Sequence, residues 1–161
     1  MATVKVRYIL LPVVIIGVLA AALLLYQLEQ PPAAPSLPIN TILGGDFELP
    51  STLAQNTSLR EFRGRVSLLN FGFTYCPDVC PTVLAKMSAV ESTLVEQGEI
   101  EPGELGLIFI SFDGERDTVE RLQQYLPFFS QQLVGFTGNQ EKIEPVLKQY
   151  GVVAIKQDHG S

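Results

Sequence analysis

Val66-Ser67-Leu68-Leu69-Asn70-Phe71-Gly72-Phe73-Thr74-Tyr75-Cys76-Pro77-Asp78-Val79-Cys80-Pro81 holds both cysteines of the 161-residue chain. Its opening run, Val66 to Phe71, is dense in apolar side chains, the pattern of an interior strand in a sheet covered on both faces. Pro81 suits the first turn of a helix. Beyond it Val83, Leu84, Met87, Val90, Glu91, Leu94 and Val95 fall at helical spacing, which predicts a helix with one buried face, stopped at Gly98. Two thiols with three residues between them then lie about one turn apart at a strand-to-helix junction. The unpaired N–H groups and positive dipole end of a helix start favour thiolate there. Cys76, in the loop, is expected to be the more exposed of the pair.

Working outward, Phe47 and Leu49 alternate with polar neighbours and predict a short strand ending at Pro50. Leu53 to Thr57 reads as a turn, Ser58-Leu59 as a brief return, and Arg63-Gly64-Arg65 as a turn. Leu105 to Phe112 is a second interior strand. Asp117 with Glu120 three residues on resembles a capping box opening a helix with the stripe Val119, Leu122, Tyr125, Leu126 and Phe129. Leu133 to Thr137 reads as a strand. Ile143, Val146, Leu147 and Tyr150 mark a third helix, and Pro145 is tolerated best in a first turn, so that helix is expected to begin near Glu144. Val152 to Ile155 reads as a strand. Alternating strands and helices define an α/β fold with a mostly parallel central sheet. With the cysteines after the first interior strand, the fold expected is thioredoxin-like.

Residues 8–28 contain no charge and are nearly all apolar, long enough to cross a bilayer, and Pro12 and Gly17 are tolerated in such a helix. Lys5 and Arg7 lie in the short segment 1–7 before it, and no basic residue follows until Arg60. The positive-inside rule puts residues 1–7 in the cytoplasm and everything after Glu29 outside. A cleaved signal peptide ending near Ala20-Ala21-Ala22 is the competing reading; the apolar run continues past it through Leu25, which favours an anchor. Seven residues leave no room for an Arg-rich presequence, so the expectation is a single-pass protein of a bacterial inner membrane with its soluble part facing the periplasm, the alternative being a mitochondrial protein whose presequence has already been removed. Residues 29–40 include four prolines and form a semi-extended spacer. Residues 41–161 form the folded domain.

The net charge is -6, and about -8 without Lys5 and Arg7. That excludes nucleic acid, which requires a basic footprint. An oxidising compartment would close a cysteine pair into a disulfide by default. A purely structural bridge over so small a loop contributes little chain entropy and is geometrically tight. Structural zinc needs four ligands, and this chain has two cysteines and one histidine. Thiol–disulfide exchange and binding of a soft metal, Cu(I) foremost, remain level on the residues alone.

Phe71 to Pro81 resembles the signature of the Sco/SenC family, membrane-anchored thioredoxin-like copper chaperones that help assemble cytochrome c oxidase. Ile110-Ser111-Phe112-Asp113-Gly114-Glu115-Arg116-Asp117-Thr118 is similar to the family's downstream acidic loop, with Gly114 where a proline is usual, and Val134-Gly135-Phe136-Thr137-Gly138 also fits. The resemblance spans about Leu43 to Tyr150 plus the anchor. It implies that Cys76 and Cys80 are copper ligands, for Cu(I) or Cu(II), and also a redox-active pair in a copper-binding domain over 41–161. It implies as partner the copper-receiving subunit of cytochrome c oxidase, and a thioredoxin-like reductant as electron donor. It also implies a third ligand, a histidine in a late loop followed by a strand, a turn and a closing helix. Either His159 takes that place, or it is a polar loop residue and the ligand falls beyond Ser161 in a C-terminally truncated chain. Asp78 is either a hydrogen-bonding neighbour of the metal or an acidic residue complementing the helix start. Asp113, Glu115, Arg116 and Asp117 form either a loop facing a partner or the site, or a solvated turn with a helix cap. Tyr75 and Phe73 either flank the site or pack in the core.

The function expected is copper delivery without turnover of a small substrate, so not an enzyme. The alternatives are a thiol–disulfide oxidoreductase that keeps oxidase-subunit cysteines reduced, and a peroxidase-like activity with Cys76 reacting and Cys80 resolving.

Overall fold

In the computed structural model, residues 15–24, 26, 43–54 and 56–154 are described. The chain divides into two units, Met1–Ile39 and Asn40–Ser161. In the first, the described residues 15–24 and 26 are helical. No helix among the described residues is long and apolar enough to cross a membrane; most of the flanks of the predicted 8–28 span, the spacer 29–40 and His159 lie outside the described residues.

In the second unit, β1 (Glu48–Leu49) and β2 (Thr57–Ser58) form a small antiparallel ladder. A 3-10 turn, Leu59–Phe62, follows, started by a capping box in which Ser58 and Glu61 satisfy each other's backbone. β3 (Ser67–Gly72) leads through the cysteine loop into α1 (Val79–Glu96). β4 (Gly106–Ser111), α2 (Val119–Tyr125) continued by a 3-10 turn, Leu126–Phe128, β5 (Leu133–Phe136) and α3 (Gln140–Gln149) complete the described elements. The main sheet has the order β3-β4-β5 and is parallel throughout.

β4 is the centre of the fold, and all six of its residues are buried. Because side chains alternate across a strand, Ile108 and Ile110 pack with Phe47, Leu49, Phe136, Ile143 and Val146, while Leu107 and Phe109 pack with Leu84, Met87, Leu122 and Leu126. The sheet is thus a layer between the β1–β2 ladder with α3 on one face and α1 with α2 on the other. Each fully buried apolar side chain contributes about 1.5–3 kcal/mol, so this two-sided core holds the carboxyl ends of β3 and β4 side by side: Gly72 pairs with Ser111.

Four sequence expectations are corrected. Among the described residues the strand at Val66 to Phe71 pairs with β4 alone and is half-buried, so within the described sheet it is the outer strand and β4 takes the interior place. The cap of α2 is Thr118, whose hydroxyl accepts the Arg121 N–H, because the Asp117 carboxylate is engaged elsewhere. Helix α3 begins at Gln140, with Asn139 accepting the Lys142 N–H, and Pro145 sits inside it; the cap and the burial of Ile143 and Val146 outweigh the lost N–H. Residues 152–154 form no strand: the Val152 N–H turns back to the Leu147 carbonyl.

Candidate functional site

The cysteine loop leaves the sheet at Gly72, turns tightly with the Cys76 N–H donating to the Phe73 carbonyl (3.2 Å), and enters α1 through Asp78. Asp78 caps through its backbone position alone; its side chain makes no capping bond and is exposed. Cys80 lies in the first turn, 7% exposed, and Cys76 just outside it is partly exposed, as its loop position predicts. Both are free thiols, and the Cys80 N–H donates to the Cys76 sulfur at 3.4 Å. Gly72 makes the room. A β-carbon there would lie 2.7 Å from the Cys80 sulfur and 3.0 Å from the Phe109 ring.

The two thiols are electrostatically unlike. Burial pushes Cys76 up, but hydrogen bonds from the Cys80 backbone and side chain and from the Asp78 and Val79 N–H groups together outweigh it and hold the thiol below its ordinary value. Cys80 is pushed up to about 11, first by burial, against a hydrogen bond from the Phe73 backbone, and further by its bond to Cys76 and the negative charges of Cys76 and Asp117. Helix-start N–H groups thus select one thiolate, at the solvent side.

The acidic loop after β4 faces this loop and is no solvated turn. Asp113 and Asp117 are buried, whereas Glu115 and Arg116 are exposed. Asp113 pairs with Arg116, and its carbonyl accepts the Arg116 and Asp117 N–H groups. Asp117 accepts the Thr74 N–H (2.7 Å), the Thr74 hydroxyl (2.6 Å) and the Ser111 hydroxyl (2.6 Å). Gly114 lets this loop press on the next one, since a β-carbon there would overlap the Gly138 carbonyl. Tyr75 is 58% exposed and its ring carries the guanidinium groups of Arg116 (4.9 Å) and Arg121 (5.6 Å), while Phe73 packs on Phe112 (5.5 Å). Tyr75 therefore flanks the thiols at the surface, and Phe73 supports the loop from below.

Sequence reasoning gives no site role to Thr74, Ser111, Arg121 or Tyr125. Arg121 Nε donates to the Thr74 hydroxyl (3.3 Å). The Tyr125 hydroxyl is buried without a hydrogen-bond partner among the described residues; burial, then the charges of Cys80, Cys76 and Asp117, raise its pKa. Among the described residues no cluster of three His, Cys, Asp or Glu side chains is arranged to hold a metal. The two sulfurs are soft donors, one with a lowered pKa, and their donor chemistry suits a soft monovalent ion held by two thiolates.

A parallel α/β core with a dithiol between the first strand of its main sheet and the following helix defines a thioredoxin-like protein. A family model described as SCO1/SenC matches residues 37–161. The chain belongs to the SCO1/SenC family. It is 36% identical over 152 residues to a SCO2-like protein of Rickettsia felis, covering 91% of this chain and 72% of that protein. It is 34% identical over 116 residues to the mitochondrial protein SCO1 homolog 1 of Arabidopsis thaliana, covering 72% of this chain but only 34% of that one. The crystal structure of Arabidopsis thaliana ScoI with copper bound is similar, with a TM-score of 0.68 and 34% identity over 73% of this chain and 71% of that one. BsSco, a member of the Sco family of cytochrome c oxidase assembly proteins in which a disulfide switch was identified, has a TM-score of 0.59 and 25% identity, covering 76% of this chain and 71% of that one.

Proposed function

We propose that the chain is a copper metallochaperone in which Cys76 and Cys80, as thiolates, hold copper and pass it to the copper centre of a cytochrome c oxidase subunit. The observation that carries this reading is the pair of free thiols in and beside the first turn of α1, one partly exposed and held below its ordinary pKa by hydrogen bonds. Its fold is also similar to that of a relative solved with copper bound. Copper is the cargo. Release by ligand exchange needs a thiolate that an incoming ligand can reach, and Cys76 supplies it while Cys80 retains the ion from the buried side. No turnover of a small substrate belongs to this reading. The apolar run 8–28 would tether the domain to a bacterial inner membrane, and the spacer 29–40 would hold it on the periplasmic side.

Copper titration of the reduced full chain in detergent micelles tests this, read as sulfur-to-copper charge-transfer absorption and as metal retained after desalting. A stoichiometric band is expected, lost in Cys76→Ser and Cys80→Ser. Without band or retention the reading is wrong.

The unequal thiols favour one second reading, thiol–disulfide exchange. Cys76 thiolate would attack a disulfide of the oxidase subunit and release one of its thiolates. The Cys80 sulfur, giving up its proton, would then displace the second. The subunit ends reduced and Cys76–Cys80 oxidised, and a thioredoxin-like dithiol would return the two electrons.

A further inference from the structure

We propose that Asp117 is the positioning residue of the cysteine loop, fixing through Thr74 and Ser111 where Cys76 stands relative to Cys80. The inference rests on the reading of these cysteines as the working thiols. Asp117 is completely buried, yet it lies 43 residues from Thr74 in sequence. One carboxylate oxygen accepts both the Thr74 N–H and the Ser111 hydroxyl, and the other accepts the Thr74 hydroxyl. Its own carbonyl accepts the Thr137 hydroxyl at 2.6 Å, which anchors Asp117 to the segment after β5. Thr74 is two residues before Cys76, inside the turn closed by the Cys76 N–H and the Phe73 carbonyl. The cysteine loop is therefore held from below by a carboxylate that belongs to a different crossover of the sheet. A helix cap does not account for this: the cap of α2 is Thr118. A buried carboxylate is also costly unless its hydrogen bonds are complete, and here three donors converge on it.

An asparagine at position 117 can keep this geometry without the charge. Its carbonyl replaces the oxygen that accepts from Thr74 N–H and Ser111, and its NH2 donates to a rotated Thr74 hydroxyl. Alanine keeps neither. The test compares the alkylation rates of Cys76 and Cys80 in the reduced full chain in detergent micelles, read by peptide mass spectrometry with iodoacetamide. Wild-type protein is expected to react first at Cys76. In Asp117→Ala the Cys76-to-Cys80 ratio falls by about tenfold or more, the effect of losing a charge-assisted hydrogen bond. In Asp117→Asn it stays within about threefold of wild type, because the bonds persist without the charge. Ile143→Ala weakens the opposite core layer and leaves the ratio unchanged, so loss of stability alone does not mimic the effect. If Asp117→Ala does not fold, Thr74→Val, which removes one of the three donors, should lower the ratio about threefold. An unchanged ratio in Asp117→Ala or Thr74→Val, or an Asp117→Asn protein as altered as the alanine variant, overturns the proposal. The readout involves no copper, so a chain that retains no metal but obeys these ratios refutes only the chaperone reading.

Discussion

At the scale of single residues, the two thiols divide the work by environment. Cys76, held below the ordinary thiol range, carries more thiolate at neutral pH than a free cysteine, while Cys80 stays protonated up to about 11. Alkylation followed from about pH 6 to pH 10 should therefore modify Cys76 first, the midpoint of its rate profile lying below that of an ordinary thiol, with Cys80 still rising at the top of the range. Equal profiles at the two positions would contradict the assignment. Gly72→Ala should destabilise the domain by about 1–3 kcal/mol, since the Cys80 sulfur and the Phe109 ring already fill the space; urea unfolding of the full chain in micelles measures it. His159 is a separate question: His159→Ala weakens copper retention if it is the third ligand and leaves it unchanged if it is a loop residue.

At the scale of elements, Pro145 stands inside α3 where an N–H would otherwise bond. Pro145→Ala should raise stability by about 1–2 kcal/mol, the restored hydrogen bond being offset in part by a freer unfolded chain. A lower thermal midpoint would mean that the ring itself packs usefully. The element pattern explains what the sequence can disclose. Leu107 to Ile110 are apolar on both faces, so the central strand is readable as buried. Leu68, Leu69 and Phe71 give Ser67–Gly72 the same look, but among the described residues that strand pairs on one side alone, and apolar density reports covered faces, not the number of paired edges. The cysteine pair and its helix start are legible because spacing and proline are local signals. The ring of Thr74, Ser111 and Asp117 is not, because its members meet only when β3 and β4 are in register. Asp117 even imitates a cap, with Glu120 three residues on, while the neighbouring hydroxyl of Thr118 takes that task.

At the scale of the whole molecule, a ligand that binds only the folded state must stabilise it. With free Cu(I) at about 100 times its dissociation constant, the reduced chain should gain about 2.7 kcal/mol against unfolding. The gain should vanish in Cys76→Ser, and a thermal midpoint indifferent to copper would count against the proposed cargo. The two loops beyond β4 and β5 bear on exchange between relatives. Gly114 meets the Gly138 carbonyl with no side chain between them, and Gly138 directly precedes the residue that caps α3. Neither position has an atom to trim if the other grows. A chimera that places a proline at 114 must exchange the segment around 138 with it, because the two loops leave each other no room.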